Sequence, residues 1–248
     1  MTTQIDQTPT TLEPDRYLEL MRADARRIGW LAEDGLDAPV PPCPGWTVRD
    51  VVVHVGDVYR QKVANMRTLA PAEESAEERP GTDVLAWFRE SLALLLAELE
   101  RRGPGAASYT WWPPDQTVGF WYRRMALESA VHRVDVESAS DALGPVDDAL
   151  ALDGIDEILT RFLGREESTG TDAGIIAVRT GDHAWRVALD ADGVDVRTGP
   201  GSADATVTGE PSELFLGLWG RRPDQAVQIT GEYAPVAALR EALRAATQ

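Results

Sequence analysis

The sequence is poor in the residues that most often carry chemistry. Its 248 residues include one cysteine, three histidines and a single lysine, Lys62. One cysteine, Cys43, excludes an intrachain disulfide and any cysteine-rich metal site. Long apolar runs are missing too. Segments such as Leu92–Ala97 and Val51–Val53 fall far below the ~20 residues of a membrane-spanning helix. Met1 to Pro14 is polar and threonine-rich, with neither a basic nor an apolar region, so no secretory signal is expected and a cytoplasmic location is. Positive charge is also scarce: 24 Lys+Arg stand against 41 Asp+Glu, giving a net charge of −17 and a pI near 4.5. A field of that sign repels phosphate backbones and anionic lipid, which argues against nucleic acid and membranes as partners. Asparagine, like lysine, occurs once (Asn65), as GC-rich coding would produce. A halophile would deplete lysine as well, but codon bias accounts for both shortages.

What is present suffices for a folded protein. The hydrophobic fraction is 43%, and the length allows one large domain or two small ones. Tyr17, Leu20, Met21, Ile28 and Leu31 recur at helical spacing. Thr47 and Asp50 form a capping-box start after the proline-rich break at 39–45. The helix that follows, to about Met66, puts Val51, Val55, Val58 and Lys62 on one stripe. The acidic segment Pro71–Asp83 reads as a solvated loop. Val84, Phe88, Leu92, Leu95 and Leu99 mark a third helix, about Phe120–Ser140 a fourth, and about Asp147–Leu163 a fifth. From Gly174 the pattern turns to short Val/Ile/Thr segments separated by Gly/Asp turns, which is the grammar of strands and hairpins. Helix returns at Ser212–Leu218 and Pro235–Ala246. The expected organisation is a disordered tail over 1–14, a helical bundle over 15–165 and a small α+β domain over 166–248.

The three histidines differ. His183, in a strand-like segment after a Gly-Asp turn, reads as an exposed strand residue. On the fourth helix, Trp121, Met125, Glu128, His132 and Asp135 follow spacings of four, three, four and three, the inward stripe of a bundle helix. Glu128 and His132 then lie about 40° apart on the helical wheel. A carboxylate and an imidazole on an inward stripe are unfavourable unless paired or ligated. His54 holds a comparable place on the second helix, one turn from Val51 and Val58. One reading is a His/Glu/His metal site of His54, Glu128 and His132, open at a fourth position, with Asp135 orienting an imidazole from behind. The other is an ordinary buried His–Glu hydrogen bond with His54 a satisfied core residue. Spacing alone leaves both open.

Three segments in register carry a resemblance. PPCPGWTVRDVVVHVGDVYR (Pro41–Arg60), RMALESAVHRVD (Arg124–Asp135) and ADATVTGEPSELFLGLWGRRP (Ala203–Pro223) resemble the mycothiol-dependent maleylpyruvate isomerase family, over about Tyr17–Leu243. The resemblance implies a DinB-like four-helix bundle followed by a small C-terminal α+β domain. It implies a divalent metal, zinc first and nickel second, on positions matching His54, Glu128 and His132. It implies mycothiol as thiol cofactor or co-substrate, and hence an actinobacterial source. Gly220-Arg221 matches a functional arginine after a helix, with Arg222 the second candidate; a cation complementing the helix C-terminus is the competing account. Where many members carry His, this chain has Leu127, a departure that bears on the pocket rather than the metal.

The chemistry implied is addition of a thiolate to the cis double bond of an unsaturated diacid such as maleylpyruvate, rotation and elimination, with Arg221 as the catalytic arginine pairing a substrate carboxylate. Conjugation of an electrophile by a mycothiol S-transferase shares the first step, and a non-catalytic metal-containing ligand-binding protein is the competing class. Trp111 and Trp112 are candidate substrate-binding residues in an aromatic loop, bundle packing being the alternative. Cys43 reads as a small apolar packing residue. Monomer and homodimer are both compatible with the sequence.

Overall fold

Helix α1 (Pro14–Ala32) is the first element of this computed structural model, which describes residues 10–72, 83–140, 142–165, 173–191 and 193–247. Most of the expected tail, the acidic loop except at its ends, and the segment 166–172 around the expected boundary lie outside the described residues. Two units can be distinguished, Leu12–Gly144 and Pro145–Gln248, with Thr10 and Thr11 grouping with the second.

The first unit is a four-helix bundle of α1, α2 (Val48–Thr68), α3 (Val84–Arg102) and α4 (Val118–Ser138). The capping box is realised: Thr47 accepts from the Asp50 amide while the Asp50 carboxylate accepts from Thr47. Asp83 caps α3, and Gly103, at φ 73°, ends it. The chain makes the same approach to α2 and α4. Pro39 bridges Thr47 and Ala107 bridges Thr117 in single antiparallel pairs, each threonine standing at the N-cap. On α2 the expected stripe is buried at Val51, Val55 and Val58. Helix α4 differs from expectation, because it is buried on nearly every side rather than along one stripe. It touches α1, α2 and α3 and so has little solvent face left. Its buried arginine Arg133 is accordingly neutralised by Asp24 and Glu137, and Glu137 also accepts from Arg27.

In the second unit, α5 (Asp148–Glu157) continues through a π turn, Ile158–Phe162, into a short 3-10 turn. The sequence reading put this helix in the bundle; it instead packs on α6 (Pro211–Leu218) within the second unit. An amphipathic stripe shows that a helix needs a partner and is silent on which one. Strands β1 (Gly174–Thr180), β2 (His183–Asp190), β3 (Gly193–Thr198), β4 (Ala205–Thr208) and β5 (Gln228–Gly231) form one sheet in the order β3-β2-β1-β4-β5. Only β1 and β4 run parallel among these pairs. Helix α7 (Tyr233–Ala246) lies against β1, β2 and β4. The alternation of β1 and β2 buries Ile176, Val178, Val187 and Leu189. His183 corrects another expectation. It is half-buried, its Nε2 is out of solvent, and its ring stacks on Trp185 with centroids 6.3 Å apart.

Candidate metal centre

The three residues singled out from the sequence meet in the bundle. His54 comes from the second turn of α2, and Glu128 and His132 come one turn apart on α4. Glu128 Oε1 lies 3.4 Å from His54 Nε2 and 3.2 Å from His132 Nε2. The two imidazoles stand edge to face with centroids 5.0 Å apart. One ligand atom from each residue can be chosen so that all three lie within 4.8 Å of one another. Ligands at about 2.0–2.2 Å from a zinc ion sit no more than ~4.4 Å apart, so this donor set needs only a slight contraction.

The surroundings sort the donor atoms. Asp135 is fully buried, and its Oδ2 lies 3.0 Å from His132 Nδ1, which leaves Nε2 facing Glu128 and His54. Glu128 divides its oxygens: Oε2 accepts from the buried Arg124, and Oε1 faces both histidines. The Trp46 ring stands edge-on to His54 at 5.3 Å. His54 keeps 32% of its side chain exposed, against 14% for Glu128 and 11% for His132, so the cluster opens to solvent on the His54 side.

Electrostatics follow from this layout. Burial disfavours the charged forms of both Glu128 and His132, yet the partners outweigh it. Arg124 and the histidines hold Glu128 well below the usual carboxylate range. Glu128 and Asp135 push His132 up to about 9. Two imidazoles and one carboxylate, with a carboxylate behind one ring, form the N/O donor chemistry that suits zinc or another first-row divalent ion. The residues therefore fit such a metal.

Comparison with known proteins places the chain in a family. Residues 17–137 match the family profile described as the mycothiol maleylpyruvate isomerase N-terminal domain, and residues 149–238 match the MDMPI C-terminal domain. The chain belongs to the mycothiol maleylpyruvate isomerase family. Among solved structures, a crystal structure of the mycothiol-dependent maleylpyruvate isomerase is similar at a TM-score of 0.58 and 14% identity, covering 89% of this chain and 95% of that one. A histidine-to-alanine mutant of that isomerase gives 0.60 and 15% over the same shares. Identities of this size establish the common fold, and the family rests on the two profiles. No curated protein sequence matches.

The remaining site expectations fare differently. Arg221 and Arg222 lie in the second unit, on the turn that ends α6. Gly220, at φ 72°, and Arg221 close that helix by amide bonds to the Gly217 and Leu216 carbonyls, a Schellman turn. The Arg221 guanidinium donates to the Trp219 carbonyl at 2.7 Å, as the helix-terminus account anticipates. Arg222 pairs with both oxygens of Glu213. Trp111 and Trp112 are half-buried; Trp111 stands edge to face with Phe120 at 5.0 Å and with Trp112 at 6.4 Å. Leu127 is fully buried core.

Cys43 corrects its apolar-packing assignment: half-buried, it places Sγ 3.6 Å from Asp135 Oδ2. The sequence reading also missed Arg124 and Trp46. Arg124 was within reach, because Arg and Glu at i and i+4 on a helix face one another. Trp46 was not, since its contact with His54 depends on how the preceding loop turns.

Proposed function

We propose that this chain is a metal-dependent enzyme that uses an external low-molecular-weight thiol, mycothiol, to isomerise a cis-unsaturated diacid of the maleylpyruvate type. The observation that carries the reading is the convergence of His54, Glu128 and His132 on one donor cluster in a chain of this family. A divalent ion held there would supply a thiolate at neutral pH, which a free thiol with a pKa near 8.5 does not. The chain's only thiol, Cys43, faces Asp135 behind the donors, so it is badly placed to attack a substrate.

The protein's own groups have assignable tasks. Glu128, oriented by Arg124, presents one oxygen to the site. Asp135 holds the His132 Nδ1 proton and fixes that ring's tautomer. His54 borders the open side, where thiol and substrate would enter. The thiolate sulfur adds to one carbon of the cis double bond, whose π pair moves onto the conjugated carbonyl as an enolate; after rotation about the resulting single bond that pair returns, the double bond re-forms as trans and the thiolate is expelled. Arg221 is the proposed anchor for a substrate carboxylate, with Arg222 second; either would have to exchange its present partner for the substrate. Trp111 and Trp112 are proposed to line the substrate's path.

The test is an isomerisation assay on purified protein, with its metal content measured alongside. The reading expects stoichiometric zinc or nickel, activity only when mycothiol is added, and loss of metal in His54→Ala. Stable thioether product with no trans isomer would assign the protein to the transferases. Absence of metal in the native protein together with no response to mycothiol would overturn the reading.

A further inference from the structure

The connection between β3 and β4 has to carry the chain past two strands. The Gly199 amide donates to the Ala184 carbonyl near the start of β2, and the Asp204 amide donates to the Ile175 carbonyl near the start of β1. Because β1 and β2 run antiparallel, these anchors lie at opposite ends of the pair, and residues 199–204 cross a face of the sheet. Strand alternation makes it the face away from Ile176, Val178, Val187 and Leu189. Ala177 and Ala184 on that face are buried, and two arginines hold the crossing chain. Arg179 Nη2 donates to the Gly201 carbonyl at 3.3 Å, and Arg186 Nε donates to the Ser202 carbonyl at 3.0 Å. A Cβ at Gly201 would come within 2.5 Å of Arg186 Cδ, so the crossing chain packs directly on the arginine stem.

Beside the crossing, the same face holds a hollow of about 200 Å³ lined by Ile175, Arg186, Ala188, Asp195 and Arg197. It is open to solvent, since the Arg197 side chain is 72% exposed and that of Asp195 52%. Arg186 and Arg197 are paired directly across β2 and β3, where like charges repel. Arg179 stands on the diagonal from Arg186, and its Nε is out of solvent with no hydrogen-bond partner among the described residues. Two neighbouring carboxylates are engaged by backbone: Asp190 accepts from the Gly193 amide and Asp204 from the Ile175 amide. Asp195 lines the hollow and accepts from Arg197 Nε at 2.7 Å. With Nε engaged in both Arg186 and Arg197, their Nη ends are the donors turned to a ligand.

We propose that this hollow is a binding site for a small hydroxycarboxylate. Its carboxylate accepts from the Nη groups of Arg186 and Arg197 and relieves their repulsion. Its carbon chain lies on Ile175 and Ala188, and its hydroxyl donates to Asp195. Each part of that choice follows from a wall. Two guanidiniums call for an anion, and the apolar floor calls for carbon rather than bare phosphate. The Asp195 carboxylate calls for a donor and disfavours a second negative charge. A volume of about 200 Å³ equals roughly seven waters at ~30 Å³ each and lies below the ~300–1,000 Å³ of drug-sized pockets, so the molecule is small. The site is built from residues of the second unit alone and does not depend on the metal-centre reading.

The test is a titration of the whole chain, as purified, with 2-hydroxybutyrate, followed by backbone amide NMR, which reports both affinity and place. Butyrate and inorganic phosphate serve as comparisons. Wild type is expected to bind 2-hydroxybutyrate with a Kd on the order of 1 mM, in keeping with its few non-hydrogen atoms, and both comparisons more weakly. The shifts should centre on residues 175, 186, 188, 195 and 197. Arg186→Ala and Arg197→Ala should each weaken binding about 10-fold or more, as for a lost charge-assisted hydrogen bond. Asp195→Ala should weaken 2-hydroxybutyrate yet tighten butyrate, because it removes the hydroxyl's acceptor and a negative charge together. Gly201→Ala keeps every charge but pushes Arg186 aside, and should also lose affinity. His54→Ala should bind as wild type does.

Absence of binding, or shifts centred on other residues, would overturn the inference and leave the arginines as surface charges of an edge strand. Loss of binding in His54→Ala would move the ligand to the metal centre and overturn it too. Phosphate bound as tightly as the hydroxy acid would overturn the carboxylate assignment. Should Arg186→Ala fail to fold, Arg197→Ala decides, since its side chain is mostly exposed; unchanged affinity there would sink the proposal.

Discussion

Glu128 Oε1 on α4 lies 3.4 Å from His54 Nε2 on α2. With His132 Nε2 at 3.2 Å from the same oxygen, one carboxylate oxygen serves as the meeting point of two imidazoles. Its other oxygen is taken up by Arg124, so the carboxylate cannot turn to share both oxygens with the cluster. The predictions that follow use this arrangement and the packing that holds it.

Asp135 has no solvent contact and faces the ring nitrogen turned away from the cluster. Asp135→Ala should therefore weaken metal binding by about 10–100-fold, measured by chelator competition, with His54, Glu128 and His132 all intact. Asp135→Asn, which keeps the volume and can still accept from Nδ1, should fall between that variant and wild type. Equal affinity in all three proteins would show that His132 is oriented by other contacts.

The arginine proposal separates binding from metal loading. Replacing Arg221 by Ala should raise KM for a diacid substrate by about 10-fold or more, as expected for a lost charge-assisted hydrogen bond, while metal content stays at the wild-type level. Steady-state kinetics with parallel metal analysis would check it. Arg222→Ala should have the smaller effect on KM.

Glu98 is a structural anion with a pH signature. Its side chain is 4% exposed and bonded to Arg67, Arg101 and Arg102. Burial alone would raise its pKa, but the three arginines outweigh burial and hold it at about 2. Because the folded-state value lies below the unfolded one near 4.3, the carboxylate stabilises the fold above pH 4.3, and this contribution disappears as pH falls toward 2. Glu98→Gln should cost on the order of 2–3 kcal/mol in urea unfolding at pH 7. The difference from wild type should shrink as the pH is lowered through that window; a constant difference would argue for lost packing instead.

Gly56 tests the packing of α2 on α3. A Cβ at this position would come within 2.1 Å of Trp87 Cζ3. Helix propensity alone favours alanine by about 1 kcal/mol, yet the clash should reverse the sign and destabilise Gly56→Ala by about 1–3 kcal/mol. A thermal melt would show the direction. Since Gly56 and His54 face about 200° apart on α2, metal content at low temperature should be unchanged.

Much of the candidate centre was legible because its residues obey helical periodicity. Glu128 and His132 are one turn apart on a segment whose inward stripe already looked too polar for a core. Local rules also foretold the capping box at Thr47 and the strand-and-hairpin pattern that begins at Gly174. What periodicity lacks is a statement of partnership. The stripe of α5 was correctly read as apolar, but its packing on α6 rather than in the bundle depends on a tertiary choice. Helix α4 looked one-sided in sequence and is buried on nearly all sides, because three helices surround it.

The sequence by itself determined which segments are helix and strand, since spacing, caps and turn residues act over a few residues of chain. It also restricted the candidate metal ligands to a short set, because cysteine and histidine are so rare. Only the tertiary structure decided that His54 meets the α4 pair. Only there did Arg124 take one oxygen of Glu128, and Cys43 come to stand behind Asp135. These contacts are made across helices and loops far apart in the chain, and their distances are set by how the bundle packs rather than by any local preference.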